Sequence, residues 1–215
     1  MALTAALHRT TQMGLPVALI GAGLPNLPLR LIEAKTYAER LYTFPRLAAL
    51  DKFASREAIR VPAEREGVEF EEAALDAIVE NSDGYPYFLQ EWGRAVWSVA
   101  ETSPISVADV RRASPRVRDE LDEEFFGMRL ARTTVAERLY MAAIAELGDG
   151  PQRSVEVARL LGKTQKQTSS QRATLIDKGL IYGPVYGEVD FTVPRYGDFM
   201  RRRWPLSTFT SRVSE

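Results

Sequence analysis

The stretch Ser154–Tyr182, SVEVARLLGKTQKQTSSQRATLIDKGLIY, decides the fold. Ser154 is placed to cap a helix of about eight residues that stops at Gly162. Its apolar positions are Val155, Val157, Ala158, Leu160 and Leu161. After a turn centred on Gly162, a second helix is expected from Gln165 to Lys178, ended by Gly179. Leu175, Ile176, Leu180 and Ile181 then pass from helix into strand without a loop, as residues filling one core would.

Working outward, two short strands follow, Leu180–Tyr182 and Glu188–Val193. A Gly183-Pro184…Gly187 turn joins them. Upstream, Thr134-Val-Ala-Glu137 reads as a capping box, in which the threonine oxygen takes an amide at the helix start and the glutamate reaches back. That helix runs to Leu147 and stops at Gly148-Asp-Gly150-Pro151. Helix, helix, tight turn, helix and two-stranded hairpin is the order of a winged helix-turn-helix domain.

On DNA, the second helix of such a domain would offer Gln165, Lys166, Gln167, Ser170 and Gln171 to base edges or phosphates. Lys163 and Arg172 sit nearby, Arg195 follows the hairpin, and Arg201-Arg202-Arg203 could reach the backbone. The alternative is a protein-interaction or self-association module: Thr168 and Arg172 fall where apolar residues are expected, and Trp92, Trp97 and Trp204 could form contacts. The charge distribution favours a polyanion at the C-terminal end. Residues 127–215 carry 14 Lys/Arg and 9 Asp/Glu, leaving 14 and 20 for residues 1–126.

Composition excludes several classes. The chain has 215 residues, room for two small domains. It has no cysteine, hence no disulfide and no thiolate metal site, and a single histidine, His8, so no multi-histidine site. No apolar run approaches the roughly 20 residues of a membrane helix, and no signal pattern opens the chain, so a cytoplasmic protein without a membrane partner is expected.

Toward the N-terminus, residues 2–12 read as a short amphipathic helix ended by Gly14. Leu15–Ile20, LPVALI, reads as a buried strand of a parallel sheet. A Gly/Pro loop and a helix over 29–42 follow. From Asp51 the chain is helical and acidic, with Asp51 or Ser55 as a cap, a helix over 69–81, a turn at Asn81–Gly84, and a helix over Tyr85–Ala100.

Two motif matches fail on physical grounds. Gly162-Lys163-Thr164 matches the end of a phosphate-binding loop, but Val157 stands where its first glycine belongs and a helix precedes the lysine. Gly21-Ala-Gly23 follows an apolar run as a dinucleotide fingerprint does, but Asn26 replaces the third glycine and Pro25 and Pro28 disrupt a helix start. No Ser/His/Asp set can be assembled, and paired carboxylates such as Glu71-Glu72 read as exposed helix charges.

Three segments taken together, VALIGAGLPNLP (17–28), EAKTYAERLYTFPRLAALD (33–51) and DGYPYFLQEWGRAVW (83–97), resemble the later part of ATP-binding proteins of the AAA+/STAND group, similar in layout to the Orc1/Cdc6-like ATPases. The resemblance covers nearly the whole chain. It implies a mainly α chain: a remnant of an α/β ATPase core over 1–50, a helical lid over 51–121, and a winged helix domain over 122–215. It implies that Leu15–Ile20 is a sensor strand with Gly21 and Gly23 toward the γ-phosphate. Tyr37, Glu39 and Arg40 would form a segment before the lid, with Arg40 as a possible arginine finger. Tyr85 and Pro86 would lie against adenine. The residue-level alternatives are a structural salt bridge for Arg40 and a first-turn helix position for Pro86.

The phosphate-binding loop and the magnesium carboxylate of that family are absent from this sequence. ATP and Mg belong to the resembled full-length family. This chain alone is expected to hold no cofactor and to have no catalytic residue. It reads either as a fragment of a longer ATPase or as a short relative that kept the regulatory half, with duplex DNA, a second copy, or the missing ATPase half as partner.

Overall fold

The computed structural model describes residues 2–23, 27–34, 38–45 and 47–210. The chain divides into two compact units, Met1–Leu47 and Ala48–Glu215. The described residues are mainly helical, with one small three-stranded sheet among them.

In the first unit, α1 (Ala2–Gln12) ends at Gly14, whose φ of +64° suits glycine. Helices α2 (Leu27–Ala34) and α3 (Ala38–Leu41) cover most of the span 29–42 expected to be helical; residues 35–37 lie outside the described residues. Tyr42 donates to the buried Thr4 hydroxyl at 3.4 Å. The expected strand over Leu15–Ile20 does not form: the segment is extended, pairs with no strand and is exposed throughout, Ile20 to 98%. An apolar run becomes a parallel strand only when neighbouring strands take its amides and carbonyls, and the described residues of this unit contain none.

The second unit begins with a helical bundle. Asp51 caps α4 (Lys52–Arg65), its Oδ1 accepting from the Ala54 amide at 2.7 Å. Then come α5 (Glu72–Ser82), α6 (Pro86–Val99) and α7 (Val107–Glu120). A Ser106/Asp109 capping box starts α7. The helix continues through a π-helical turn, Leu121–Gly127, into α8 (Met128–Leu130). The π turn turns Phe125 and Phe126 into two aromatic clusters. Phe125 stacks on Tyr87 with centroids 5.0 Å apart, and Phe126 stacks on Phe199 at 5.2 Å and meets Tyr196 edge-on at 5.2 Å. Phe88 touches both, at 5.0 and 5.6 Å. One core therefore runs unbroken through residues 121–126.

Beyond it, Thr134 and Glu137 form the expected capping box on α9 (Val135–Glu146). Strand β1 (Gln152–Arg153) leads into α10 (Ser154–Leu160). Arg153 holds the cap position that Ser154 was expected to fill. A turn through Gly162, φ +66°, leads to α11 (Gln165–Asp177), then β2 (Ile181–Tyr182) and β3 (Glu188–Phe191). The sheet is antiparallel in the order β1-β3-β2, pairing Arg153 with Glu188 and Ile181 with Phe191. Helices α12 (Tyr196–Arg203) and α13 (Ser207–Thr210) close the described chain. Val157, Ala158, Leu175, Leu180, Ile181 and Val189 are buried together, but Val155 and Leu160, read as core-facing, are exposed.

Candidate functional site

The α10–α11 turn and the start of α11 carry most of the residues singled out in the sequence. Between Pro151 and Ile176 the basic residues are Arg153, Arg159, Lys163, Lys166 and Arg172, and the one acid is Glu156. Arg153, Arg159, Lys163 and Lys166 are exposed, and none forms an ion pair among the described residues. The turn holds them in place through backbone bonds: the Lys163 amide donates to Ala158 at 2.9 Å and the Gly162 amide to Arg159 at 3.0 Å.

Local chemistry decides which polar groups on α11 remain available. Gln167 is exposed, but its Oε1 accepts from the Thr164 amide at 2.8 Å in a capping box with Thr164. The Ser170 hydroxyl donates to Gln171 Oε1 at 3.2 Å, and the Ser169 and Thr174 hydroxyls turn back onto helix carbonyls. Thr168, polar at a core position, is buried with its hydroxyl on the Gln165 carbonyl at 3.2 Å. Arg172 is half-buried and donates to the Glu188 carbonyl at 3.2 Å, tying α11 to the hairpin. Gln165 and Lys166 on this helix, and Lys163 just before it, are exposed and make no side-chain hydrogen bond with a described residue.

Arg195 stands apart from this set. With φ +62° it caps α12, pairs through Nε with Asp83 at 2.8 Å, reaches the Glu80 carbonyl, and meets Asp198 at 3.4 Å. Burial pushes the Asp83 carboxyl up, against the opposing pull of Arg195. The other distal arginines divide likewise. Arg201 is held by Asp149, Asp198 and the Ala145 carbonyl, and Arg202 by the buried Asp122, while Arg203 is exposed.

The nucleotide-related expectations fall on both units. Gly21, Gly23 and Arg40 are exposed in the first, with Gly23 just ahead of α2. Tyr37 and the Glu39 side chain lie outside the described residues. In the second unit Pro86 is the first residue of α6, and Tyr85, at its cap position, packs on Phe88 at 4.8 Å. Gly84 has φ +65°, and a Cβ there would stand 2.2 Å from the Leu50 carbonyl oxygen. The Gly-Tyr-Pro run thus has a local structural reason. Among the described residues no group of three or more His, Asp or Glu could hold a metal ion. None of their helices is long and apolar enough to cross a membrane. A crevice of about 300 Å³ lies between Asp122, Leu130, Arg138, Phe199 and Trp204.

Three exposed residues of this region were not singled out from the sequence: Arg153, Arg159 and Tyr186. Arg159 and Lys163 are spaced four apart, a signal that was there to read. Arg153 lies on a two-residue strand that has no periodicity.

A family model described as "Domain of unknown function (DUF8462)" matches residues 123–200. No curated protein matches the chain. Among solved structures, the chain is similar to a Thermotoga maritima RuvB mutant at TM-score 0.40 and 18% identity, covering 80% of this chain and 55% of that one. It is also similar to a structure described as the Thermotoga maritima RuvB Holliday junction branch migration motor, at TM-score 0.39 and 19% identity, covering 73% and 51%. The chain spans about half the length of the RuvB chains it matches.

Proposed function

We propose that residues 122–215 form a winged helix domain that binds duplex DNA mainly through its phosphates, with α11 as the helix facing the DNA. The observation that carries this is the excess of free cations on one short segment. Arg153, Arg159, Lys163 and Lys166 are exposed without carboxylate partners, whereas Arg195, Arg201 and Arg202 are consumed by ion pairs. Cations unpaired within the fold are free to displace counterions from a phosphate backbone. Base reading is a smaller part of the proposal, because Gln167, Ser170 and Arg172 are engaged internally and Gln165 is the outward amide.

In the same reading, residues 51–121 are a helical lid, and the chain is the C-terminal part of an AAA+/STAND-type ATP-binding protein with no hydrolysis of its own. What supports this is the order of a capped helical bundle followed by the α9-to-β3 arrangement, with the Gly-Tyr-Pro run at the start of α6. The test is fluorescence anisotropy with a duplex oligonucleotide. Saturable binding at low salt, weakened in the Lys163→Ala/Lys166→Ala variant, is expected; no binding at low salt would refute the reading.

A second reading, a protein-interaction or self-association surface, is favoured by Val155 and Leu160, apolar residues of α10 left 55% and 41% exposed. A concentration-dependent sedimentation coefficient that Val155→Ser/Leu160→Ser abolishes would support it. A monomer at all concentrations would remove its self-association form.

A further inference from the structure

The hairpin tip, Gly183-Pro184-Val185-Tyr186-Gly187, presents a side chain with no role in the fold. Tyr186 is fully exposed and makes no hydrogen bond or ring contact with a described residue; Val185 beside it is 58% exposed. The backbone beneath it is held from several directions. The Glu188 amide donates to Val185 at 3.2 Å, the Ser154 amide to the Gly187 carbonyl at 2.8 Å, and Arg172 to the Glu188 carbonyl at 3.2 Å. Pro184 fixes one φ of the turn, and Gly187 supplies the positive φ that closes it. The aromatic ring is therefore displayed on a fixed support.

Its surroundings are cationic. Arg153, exposed and unpaired, adjoins the tip on β1, and Arg172 lies against Gly183, where an added Cβ would stand 3.0 Å from its Nη2. Glu188, opposite Arg153, and the half-buried Asp190, whose Oδ1 accepts from the Phe191 amide at 2.7 Å, are the acids on the adjoining strand pair. A flat apolar ring flanked by cations matches a nucleobase face flanked by phosphates. Inside an intact duplex the base faces are covered by their neighbours. Free faces occur at a duplex end or at an unpaired base.

Resting on the DNA reading above, we propose that Tyr186 stacks on an exposed nucleobase, so that the protein prefers DNA with an open end or unpaired bases over continuous duplex. Stacking of a base on an aromatic side chain is worth about 5- to 150-fold in affinity.

The experiment compares two probes of equal duplex length. One carries a short 3′ overhang with 2-aminopurine at its first unpaired position, and the other is closed at both ends by flexible linkers. The wild-type chain is expected to bind the open probe more tightly within that range and to quench the 2-aminopurine. Tyr186→Ala should bind both probes as the wild type binds the closed one, with an unchanged salt slope, while Tyr186→Phe keeps the preference and the quenching. Equal binding of the two probes by the wild type would overturn stacking and leave DNA binding standing. A preference that survives Tyr186→Ala, or that Tyr186→Phe loses as fully as Tyr186→Ala, would overturn it too. No binding of either probe at low salt would instead remove the DNA reading on which the proposal rests.

Discussion

Replacing Gly84 by alanine tests whether the Gly-Tyr-Pro run is set by backbone geometry. At φ +65° an alanine costs about 1–2 kcal/mol relative to glycine. Its Cβ would stand 2.2 Å from the Leu50 carbonyl oxygen, well inside any tolerable contact. The chain entering α4 would have to move away. That would break the bond from the Leu50 amide to the Gly84 carbonyl, now 2.9 Å, and displace the Ser55 hydroxyl from Leu50. A lost hydrogen bond is worth about 1 kcal/mol and the forced repacking about 1–3 kcal/mol. Gly84→Ala is therefore expected to cost about 3–6 kcal/mol. In a domain of this size that lowers Tm by about 6–24 °C in thermal melts followed by far-UV circular dichroism. Pro86→Ala, at the exposed first turn of α6, is the control and should cost about 1 kcal/mol or less. A Gly84→Ala protein melting within about 2 °C of the wild type would refute the steric reasoning.

Other expected outcomes follow from the core and the ion pairs. Phe126→Ala removes the ring between Phe88, Phe199 and Tyr196 and should cost about 3–5 kcal/mol in urea unfolding. Because one core spans the bundle and the C-terminal elements, intrinsic fluorescence and circular dichroism should report a single coincident transition; two separated transitions would contradict that continuity. Glu137 is buried, which pushes its carboxyl up, but the Lys178 ammonium at 2.6 Å and the Thr134 amide outweigh this and hold it below its ordinary value. Its folded pKa lies below its unfolded one, so the stability it supplies is present above the unfolded carboxylate range, near pH 4.3, and is lost as pH falls through the folded value. Glu137→Gln should cost about 2 kcal/mol at pH 7 and make unfolding less acid-dependent below about pH 4; an unaltered acid profile would count against the assignment.

The C-terminal elements were legible because each announces itself locally. Thr134 and Glu137 sit at capping-box spacing, Gly162 and Gly179 mark turns, and Leu175 to Ile181 carry the apolar pattern straight from helix to strand. What sequence reading missed depends on partners. β1 is two residues long and exists through its pairing with β3. The π turn at Leu121–Gly127 has no periodicity of its own to read, since its sequence, LDEEFFG, follows on from α7 without a break. In α12, the Arg201–Arg203 run drew attention from Tyr196, Phe199 and Met200, whose spacing of three and four marks a buried helix face. Leu15–Ile20 misled in the opposite direction, since apolarity alone supplies no strand to pair with. For the proposed interface, residue type pointed to Lys163, Gln165 and Lys166, which the fold leaves exposed. It could not tell that Arg195 is spent on Asp83 or Arg172 on Glu188, because those partners are distant in sequence or are backbone atoms.

The most direct test of the DNA reading is the salt dependence of binding to a closed duplex. Each phosphate neutralised contributes about −0.9 to the slope of log K against log salt. With Arg153, Arg159, Lys163 and Lys166 engaged, the slope should lie at about −3 to −4, and Lys163→Ala/Lys166→Ala should reduce its magnitude by about 2. A slope near zero, or one that the double substitution leaves unchanged, would contradict the assignment of this surface to DNA.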